Sequence, residues 1–215
     1  MTTLKEQITK LQQEFMAQMP KDVLDTLLKA LDDMAAANLT KDAIGNNQVL
    51  PNGNLLNLEG KAQRIEDIID TPTVISFYRG SWCPYCNLEL KALQDILPQI
   101  KEKGARLIAI SPEKPDSSLS FKEKLELDFD VFTDTNNNYA RELGLVFKLE
   151  DHIDTIYKEF GFDLEKFNDI TTQELPFPAT IIVDKTGKIT YSFISENYTL
   201  RTEPSEILSE LDKIN

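Results

Sequence analysis

Both cysteines of the chain stand in one stretch, Trp82-Cys83-Pro84-Tyr85-Cys86. Four uses compete for such a pair: a redox-active dithiol, a structural disulfide, part of a zinc site, or two core thiols packed among Trp82, Pro84 and Tyr85. A disulfide closing so short a loop constrains the unfolded chain little, so it adds little stability. Structural zinc usually takes four Cys or His ligands. The chain offers only His152 besides the two thiols, so neither a metal nor a cofactor is expected. Redox chemistry is the use that the spacing favours.

The position of the pair supplies the physical reason. Residues 71–78 read as a buried strand bounded by turn signals, and the segment after the cysteines places Leu90, Leu93, Leu97 and Ile100 at helical spacing. The thiols therefore fall where a strand ends and a helix begins. The first turn of a helix presents unpaired N–H groups and the positive end of the macrodipole. A cysteine there can drop from a pKa of about 8.5 to roughly 3.5–7.5, and the thiolate is the nucleophile. A second thiol one turn along can resolve a mixed disulfide or a sulfenic acid. Pro84 suits the first helical position, where no N–H is needed.

The elements that must hold this pair are legible as periodicities. Leu4, Ile8, Leu11, Phe15 and Met19 share one helical face, with Thr3 as N-cap. After Pro20, residues Val23, Leu24, Leu27, Leu28, Leu31 and Met34 mark a second amphipathic helix ending near Asn38. Residues 1–41 are thus expected to form a helical extension, either packed on the core or offering a surface for a homodimer; the heptads are too few for a coiled coil. The remainder, 42–215, is expected to be the second unit. Its turn-rich start includes Asn52-Gly53, which reads as a tight hairpin turn.

A short helix over 64–69 then leads to the strand. The helix after the cysteines should kink at Pro98 and close at Gly104. Strands follow at 106–111 and 129–133, with helices near 117–125 and 139–143. A polar insertion with helical stretches spans 148–175. A hairpin of 179–184 and 188–195 turns at Lys185-Thr186-Gly187, and a helix over 204–214 ends the chain. This order predicts an α/β fold, a central mixed sheet flanked by helices.

The net charge of −13 argues against a nucleic-acid partner and against an anionic membrane surface. No run approaches the ~18 apolar residues of a membrane span. The start, Met1-Thr2-Thr3-Leu4-Lys5-Glu6-Gln7, carries no secretory pattern. A reactive dithiol then fits a reducing, cytoplasmic location. His152 reads as an ordinary surface or helix residue.

Three segments carry a resemblance to a known family. They are Phe77-Tyr78-Arg79-Gly80-Ser81-Trp82-Cys83-Pro84-Tyr85-Cys86, then Leu175-Pro176-Phe177-Pro178-Ala179-Thr180 running into Ile181-Ile182-Val183-Asp184, and Asn197-Tyr198-Thr199-Leu200-Arg201-Thr202-Glu203-Pro204. In that order they resemble the peroxiredoxin-like branch of the alkyl hydroperoxide reductase and thiol-specific antioxidant (AhpC/TSA) family, which implies a thioredoxin-like fold. That family's peroxide site resembles Pro-x-x-x-Thr-x-x-Cys with a distant arginine. Aligned on the strand, the reactive cysteine falls on Cys86, the threonine on Cys83, the proline on Arg79 and the distant arginine on Pro178. Pro178 instead resembles the cis-proline of thioredoxin-type oxidoreductases, which lies against the dithiol and shapes the substrate groove.

The resemblance implies a thiol-based antioxidant oxidoreductase. Cys86 would attack a hydroperoxide, Cys83 would resolve the sulfenic acid, and a thioredoxin- or glutaredoxin-like reductant would restore the dithiol. The alternative is a dithiol–disulfide oxidoreductase in which Cys83 attacks a disulfide substrate; a redox-sensing interaction module is a third. Arg79 and Arg201 are either solvated surface residues or suppliers of the missing positive charge. Together with Trp82 and Pro178 they complete the candidate substrate contacts.

Overall fold

The first two elements form for local reasons. Helix α1 (Leu4–Gln18) opens with a capping box, in which the Thr3 hydroxyl accepts from the Glu6 N–H and the Glu6 carboxylate accepts from the Thr3 N–H. Pro20 then starts α2 (Lys21–Ala37), and Asn38, in the left-handed conformation, ends it. The computed structural model describes residues 2–168 and 172–214. Helix α1 packs on a later helix, α4 (Pro84–Glu102), and α2 packs on α7 (Asp151–Glu159), so the extension lies against the body of its own chain.

The body follows the expected alternation. Strands β1 (Asn54–Leu56) and β2 (Ala62–Arg64) precede α3 (Ile65–Ile68), and β3 (Thr73–Phe77) runs toward α4. Then come β4 (Arg106–Ser111), α5 (Pro115–Leu125), β5 (Asp130–Thr133) and α6 (Asn138–Glu142). After β6 (Val146–Lys148) and α7, helix α8 (Leu164–Asn168) leads to β7 (Glu174–Pro176). Strands β8 (Ala179–Val183) and β9 (Ile189–Ile194) form the last hairpin, and α9 (Pro204–Leu211) follows.

Among the described residues one mixed sheet has the order β2-β1-β5-β4-β3-β8-β9. Strands β3, β4 and β5 are parallel, and β8 runs antiparallel to β3. Strands β3 and β8 are buried along their whole length, and the central strands are predominantly apolar, because both faces are covered. Val74, Leu107 and Ile182 face α4, α5 and α9, while Ile75, Ile108 and Ile181 face α3 and α6. Helix α4 continues through Pro98 to Glu102, and Gly104 follows it with φ +69°. Among the described residues no helix is long and apolar enough to cross a membrane.

Three expectations need correction. The hairpin turn lies at 57–61 rather than at Asn52-Gly53, because the Asn57 side chain accepts from the Glu59 and Lys61 N–H groups (3.1 and 2.8 Å) and Gly60 supplies φ +73°. Residues 148–175, of which 169–171 lie outside the described residues, are not merely polar. They carry β7, which pairs with β6 in a second sheet, and they bury Ile153, Tyr157 and Leu164. The Phe177–Pro178 bond is trans. Phe177 N–H is held by the Leu145 carbonyl at 2.6 Å and Ala179 pairs with Phe77, and the bond follows the ~0.5–1 kcal/mol preference of X–Pro bonds for trans.

Gly53 has a packing role instead: a Cβ there would lie 2.2 Å from the ring of Tyr139, whose hydroxyl donates to the Pro51 carbonyl at 2.9 Å. Gly53→Ala should destabilise the protein by roughly 1–3 kcal/mol through overpacking. Urea unfolding measures this, and an unchanged midpoint would show that the ring has room to move.

Candidate active site

The site is assembled at the carboxyl end of β3. Tyr78 N–H still bonds to the Ile110 carbonyl (2.9 Å), and the chain then turns, with Cys83 N–H donating to the Gly80 carbonyl at 3.1 Å. Gly80 is required there, because its φ is +143° and a Cβ would lie 2.3 Å from Trp82 Nε1. The turn is tied to the sheet by Glu113, which accepts from Ser81 N–H at 3.0 Å and from the Ser81 hydroxyl. Cys83 occupies the N-cap of α4, Pro84 the first helical position, and Cys86 lies within the first turn. Both thiols are free and buried.

Two arginines expected either at the surface or near the charge converge on this pair. Arg79 is 2 % exposed, and its Nη1 lies 3.9 Å from Cys83 Sγ while Nη2 donates to the Tyr157 hydroxyl at 2.8 Å. Its guanidinium stands over the rings of Trp82, Tyr157 and Tyr198. Arg201, from the segment after β9, donates from Nη2 to Cys86 Sγ at 3.3 Å and from Nε to the Glu89 carboxylate. The Arg79 main-chain N–H also points at Cys86 Sγ, at 3.5 Å.

These contacts divide the pair. Burial by itself pushes the Cys83 thiol up, but a hydrogen bond from Cys86 and the charges of Arg79 and Arg201 overcome it and bring Cys83 down to about 5. Burial and the charge on Cys83 push Cys86 well above the ordinary thiol value. Although Arg201 is nearer to its sulfur than Arg79 is to the other, Glu89 neutralises much of that charge. Burial in turn holds the Glu89 carboxyl above its ordinary value, against the pull of Arg201. At neutral pH the dithiol shares one negative charge, centred on Cys83, with Cys86 holding a proton behind it.

Access follows the same division. A cavity of about 350 Å³ opens beside Cys83, with Arg79, Trp82 and Tyr157 in its wall. Cys86 and Arg201 are not part of that wall, and neither is Pro178, which is buried between β7 and β8. Trp82 is fixed from the insertion, its ring centroid 6.0 Å from Tyr157, 5.6 Å from Phe162 and 6.5 Å from Phe167. Among the described residues no cluster of His, Cys, Asp and Glu could hold a metal.

Sequence reasoning passed over three of these groups. Glu89 is a carboxylate on the face of α4 that carries Cys86, Leu90 and Leu93, and a charge on an apolar stripe is a readable signal. Tyr157 and its aromatic neighbours stand in a segment taken as a polar insertion, where their density was the clue. Tyr198 stands inside the third family segment, with no mark in the sequence of its place beside Arg79.

Comparisons with known proteins bear on the family and the fold. The model of the AhpC/TSA family matches residues 47–192. Thiol-disulfide oxidoreductase ResA of Bacillus thuringiensis subsp. konkukian is 24% identical over 140 residues, covering 65% of this chain and 64% of its own length. Chloroplastic peroxiredoxin Q of Oryza sativa subsp. japonica is 27% identical over 164 residues, 76% of this chain and 63% of that protein. The chain thus spans less than two thirds of the length of these relatives. Among solved structures, peroxidoxin BcpB from Mycobacterium tuberculosis superposes with a TM-score of 0.62 at 18% identity, covering 80% of this chain and 99% of that one. Likeness at that identity establishes the thioredoxin-like peroxiredoxin fold.

Because only the thiolate reacts, the rate of Cys83 alkylation by iodoacetamide should rise with pH through a midpoint of about 5. Arg79→Gln removes a positive charge that favours the thiolate, so its midpoint should move up, toward the ordinary thiol value; Arg79→Lys should move it less. A wild-type profile that rises only at ~8.5, the value of a free cysteine, would remove the basis for an activated Cys83.

Proposed function

The chain belongs to the AhpC/TSA family, and from that premise we propose that it is a thiol peroxidase, reducing hydroperoxides through Cys83 and Cys86 and returned to the dithiol by an external thiol donor of thioredoxin or glutaredoxin type. The observation that carries this reading is the pairing of a charge-stabilised Cys83, open to a cavity, with a protonated Cys86 directly behind it. Residues 1–41 are then an extension on a catalytic body, 42–215, and a working dithiol of this kind belongs in a reducing, cytoplasmic setting.

Cys83 is the first nucleophile in this reading, in place of the Cys86 that alignment with the family suggests. Its thiolate attacks the terminal oxygen of the hydroperoxide; the S–O bond forms, the O–O bond breaks, and the electron pair departs on the alkoxide, which takes a proton from water. Arg79 supports the charge as it moves from sulfur to oxygen, in place of the arginine that the family carries where Pro178 stands. Cys86 then attacks the Cys83 sulfenic acid. The S–S bond forms, and the Cys86 proton leaves with the hydroxyl as water. Arg201 and Glu89 position Cys86 for this step, and Trp82 holds the open side of the site.

A second reading has a specific observation behind it. A cavity-facing first cysteine before a buried second one is also the order that disulfide exchange needs, with Cys83 attacking a disulfide and Cys86 resolving the mixed disulfide. Cys83→Ser should be inert toward hydrogen peroxide, whereas Cys86→Ser should undergo one oxidation and accumulate a sulfenic acid trapped by dimedone. Wild-type protein should lose two daltons on the peptide that holds both cysteines. Peroxide consumption by Cys83→Ser at the wild-type rate would return the first step to Cys86. Wild-type protein that turns over disulfides and ignores peroxides would establish the exchange reading.

A further inference from the structure

The cavity beside Cys83 has two walls of different origin. One comes from the body: Trp82, Tyr85, Tyr157 and Phe162. The other comes entirely from the N-terminal helices, through Phe15, Met19, Leu24, Leu27, Leu28 and Leu31, and so lies outside the 47–192 region that the family model matches. Helix α2 has a marked apolar stripe and yet no fully buried residue, although Leu27, Ala30 and Met34 lean on the core. A surface helix ordinarily turns such a stripe into the core; here Leu24, Leu27, Leu28 and Leu31 are turned onto the cavity.

The two helices are held so that this wall stays in place. The Glu203 carboxylate accepts from the Leu4 and Lys5 N–H groups at the start of α1 (3.2 and 2.6 Å). Gln12 donates to the Thr199 hydroxyl at 2.9 Å, and Phe15 meets the Tyr85 ring edge-on at 6.4 Å. Beyond α2, Thr40 N–H donates to the Glu196 carboxylate at 3.1 Å. Gln12 and Thr199, the amide and hydroxyl in the wall, thus bind one another. Among the described residues Arg79 is the only cationic side chain lining the cavity, and it already serves Cys83 and Tyr157.

We propose that the N-terminal helix pair is the substrate-selecting wall of this site, and that it selects uncharged hydroperoxides with a bulky apolar body, aromatic or branched. This rests on the thiol-peroxidase reading. The volume of about 350 Å³ falls in the ~300–1,000 Å³ range of small-molecule pockets. The apolar body lies against α1 and α2 while the peroxide end meets Cys83 and Arg79 at the base. A carboxylate elsewhere on the ligand would find no free counter-ion, and hydrogen peroxide would gain nothing from the apolar wall.

The test is stopped-flow oxidation by cumene hydroperoxide and by hydrogen peroxide, read through Trp82, the sole tryptophan of the chain. Wild-type protein should react with cumene hydroperoxide with a rate constant at least about tenfold the larger, the scale of discrimination that an apolar pocket gives. Leu28 is 38% exposed, so Leu28→Asp should fold; it should remove that preference by lowering the cumene hydroperoxide rate far more than the hydrogen peroxide rate. Cumyl alcohol should perturb Trp82 fluorescence saturably in Cys83→Ser, where no turnover intervenes, and weakly when Leu28→Asp is added. Equal rates for the two peroxides in wild type, or an equal fall for both in Leu28→Asp, overturns the selecting wall and leaves the peroxidase reading standing. Wild-type protein that reacts with neither peroxide overturns both. A Trp82 response to a thioredoxin-type protein but not to cumyl alcohol overturns the wall by assigning the cavity to the reductant.

Discussion

A guanidinium buried without a carboxylate beside it governs this site. An uncompensated charge in a protein interior carries a penalty of several kcal/mol, and among the described residues no acid lies within ion-pair distance of Arg79. The chain compensates in two ways. Three aromatic faces surround the group, with Trp82, Tyr157 and Tyr198 ring centroids at 4.9, 5.4 and 4.3 Å, each able to contribute about 2 kcal/mol when desolvated. The thiolate of Cys83 supplies the negative charge. Cation and nucleophile hold one another, so the reduced state is favoured while the thiolate persists. A dithiol stabilised in this way has a correspondingly oxidising disulfide.

Arg201 shows what happens when the carboxylate is present. Its guanidinium is as deeply buried and closer to a sulfur, yet it is paired with Glu89, and burial together with the charge on Cys83 keeps the proton on Cys86. Two arginines near two thiols therefore yield one nucleophile and one proton-bearing partner rather than two thiolates repelling each other. The asymmetry comes first from burial and from the charge on Cys83, which push Cys86 up, with the Glu89 carboxylate on α4, one turn beyond Cys86, adding to them.

The groups concerned are far apart along the chain. Arg79 and Trp82 come from the turn after β3, Tyr157 from α7, Tyr198 and Arg201 from the segment after β9, and the apolar wall from α1 and α2. The carboxyl end of a central strand is where such segments can meet, as in open α/β sheets, whose ligand crevices lie outside the carboxyl ends of the strands. The insertion closes one side of the dithiol by packing edge-on and tilted rings against Trp82, and the N-terminal pair bounds the other side without sealing it.

Period-two and period-3.6 patterns are local, and so the alternation of strands and helices, the N-terminal pair and the placing of both thiols at a strand-to-helix junction were legible in the amino-acid sequence. The three family segments were legible as well, because each is contiguous. Asn52-Gly53 misled because dipeptide turn signals ignore what packs on the glycine, here the Tyr139 ring. Whether Arg79 and Arg201 would be solvated or buried was beyond local reading, since an arginine is buried only by what comes to cover it, and most of the cover, Tyr157 and Tyr198 over Arg79 and Glu89 beside Arg201, arrives from residues more than seventy positions away. The sequence by itself determined that this protein carries one dithiol at the start of a helix in a mixed α/β sheet. Tertiary structure alone decided which thiol is charged and which is open, because both sit in the same helical turn and differ only in the neighbours that distant segments bring.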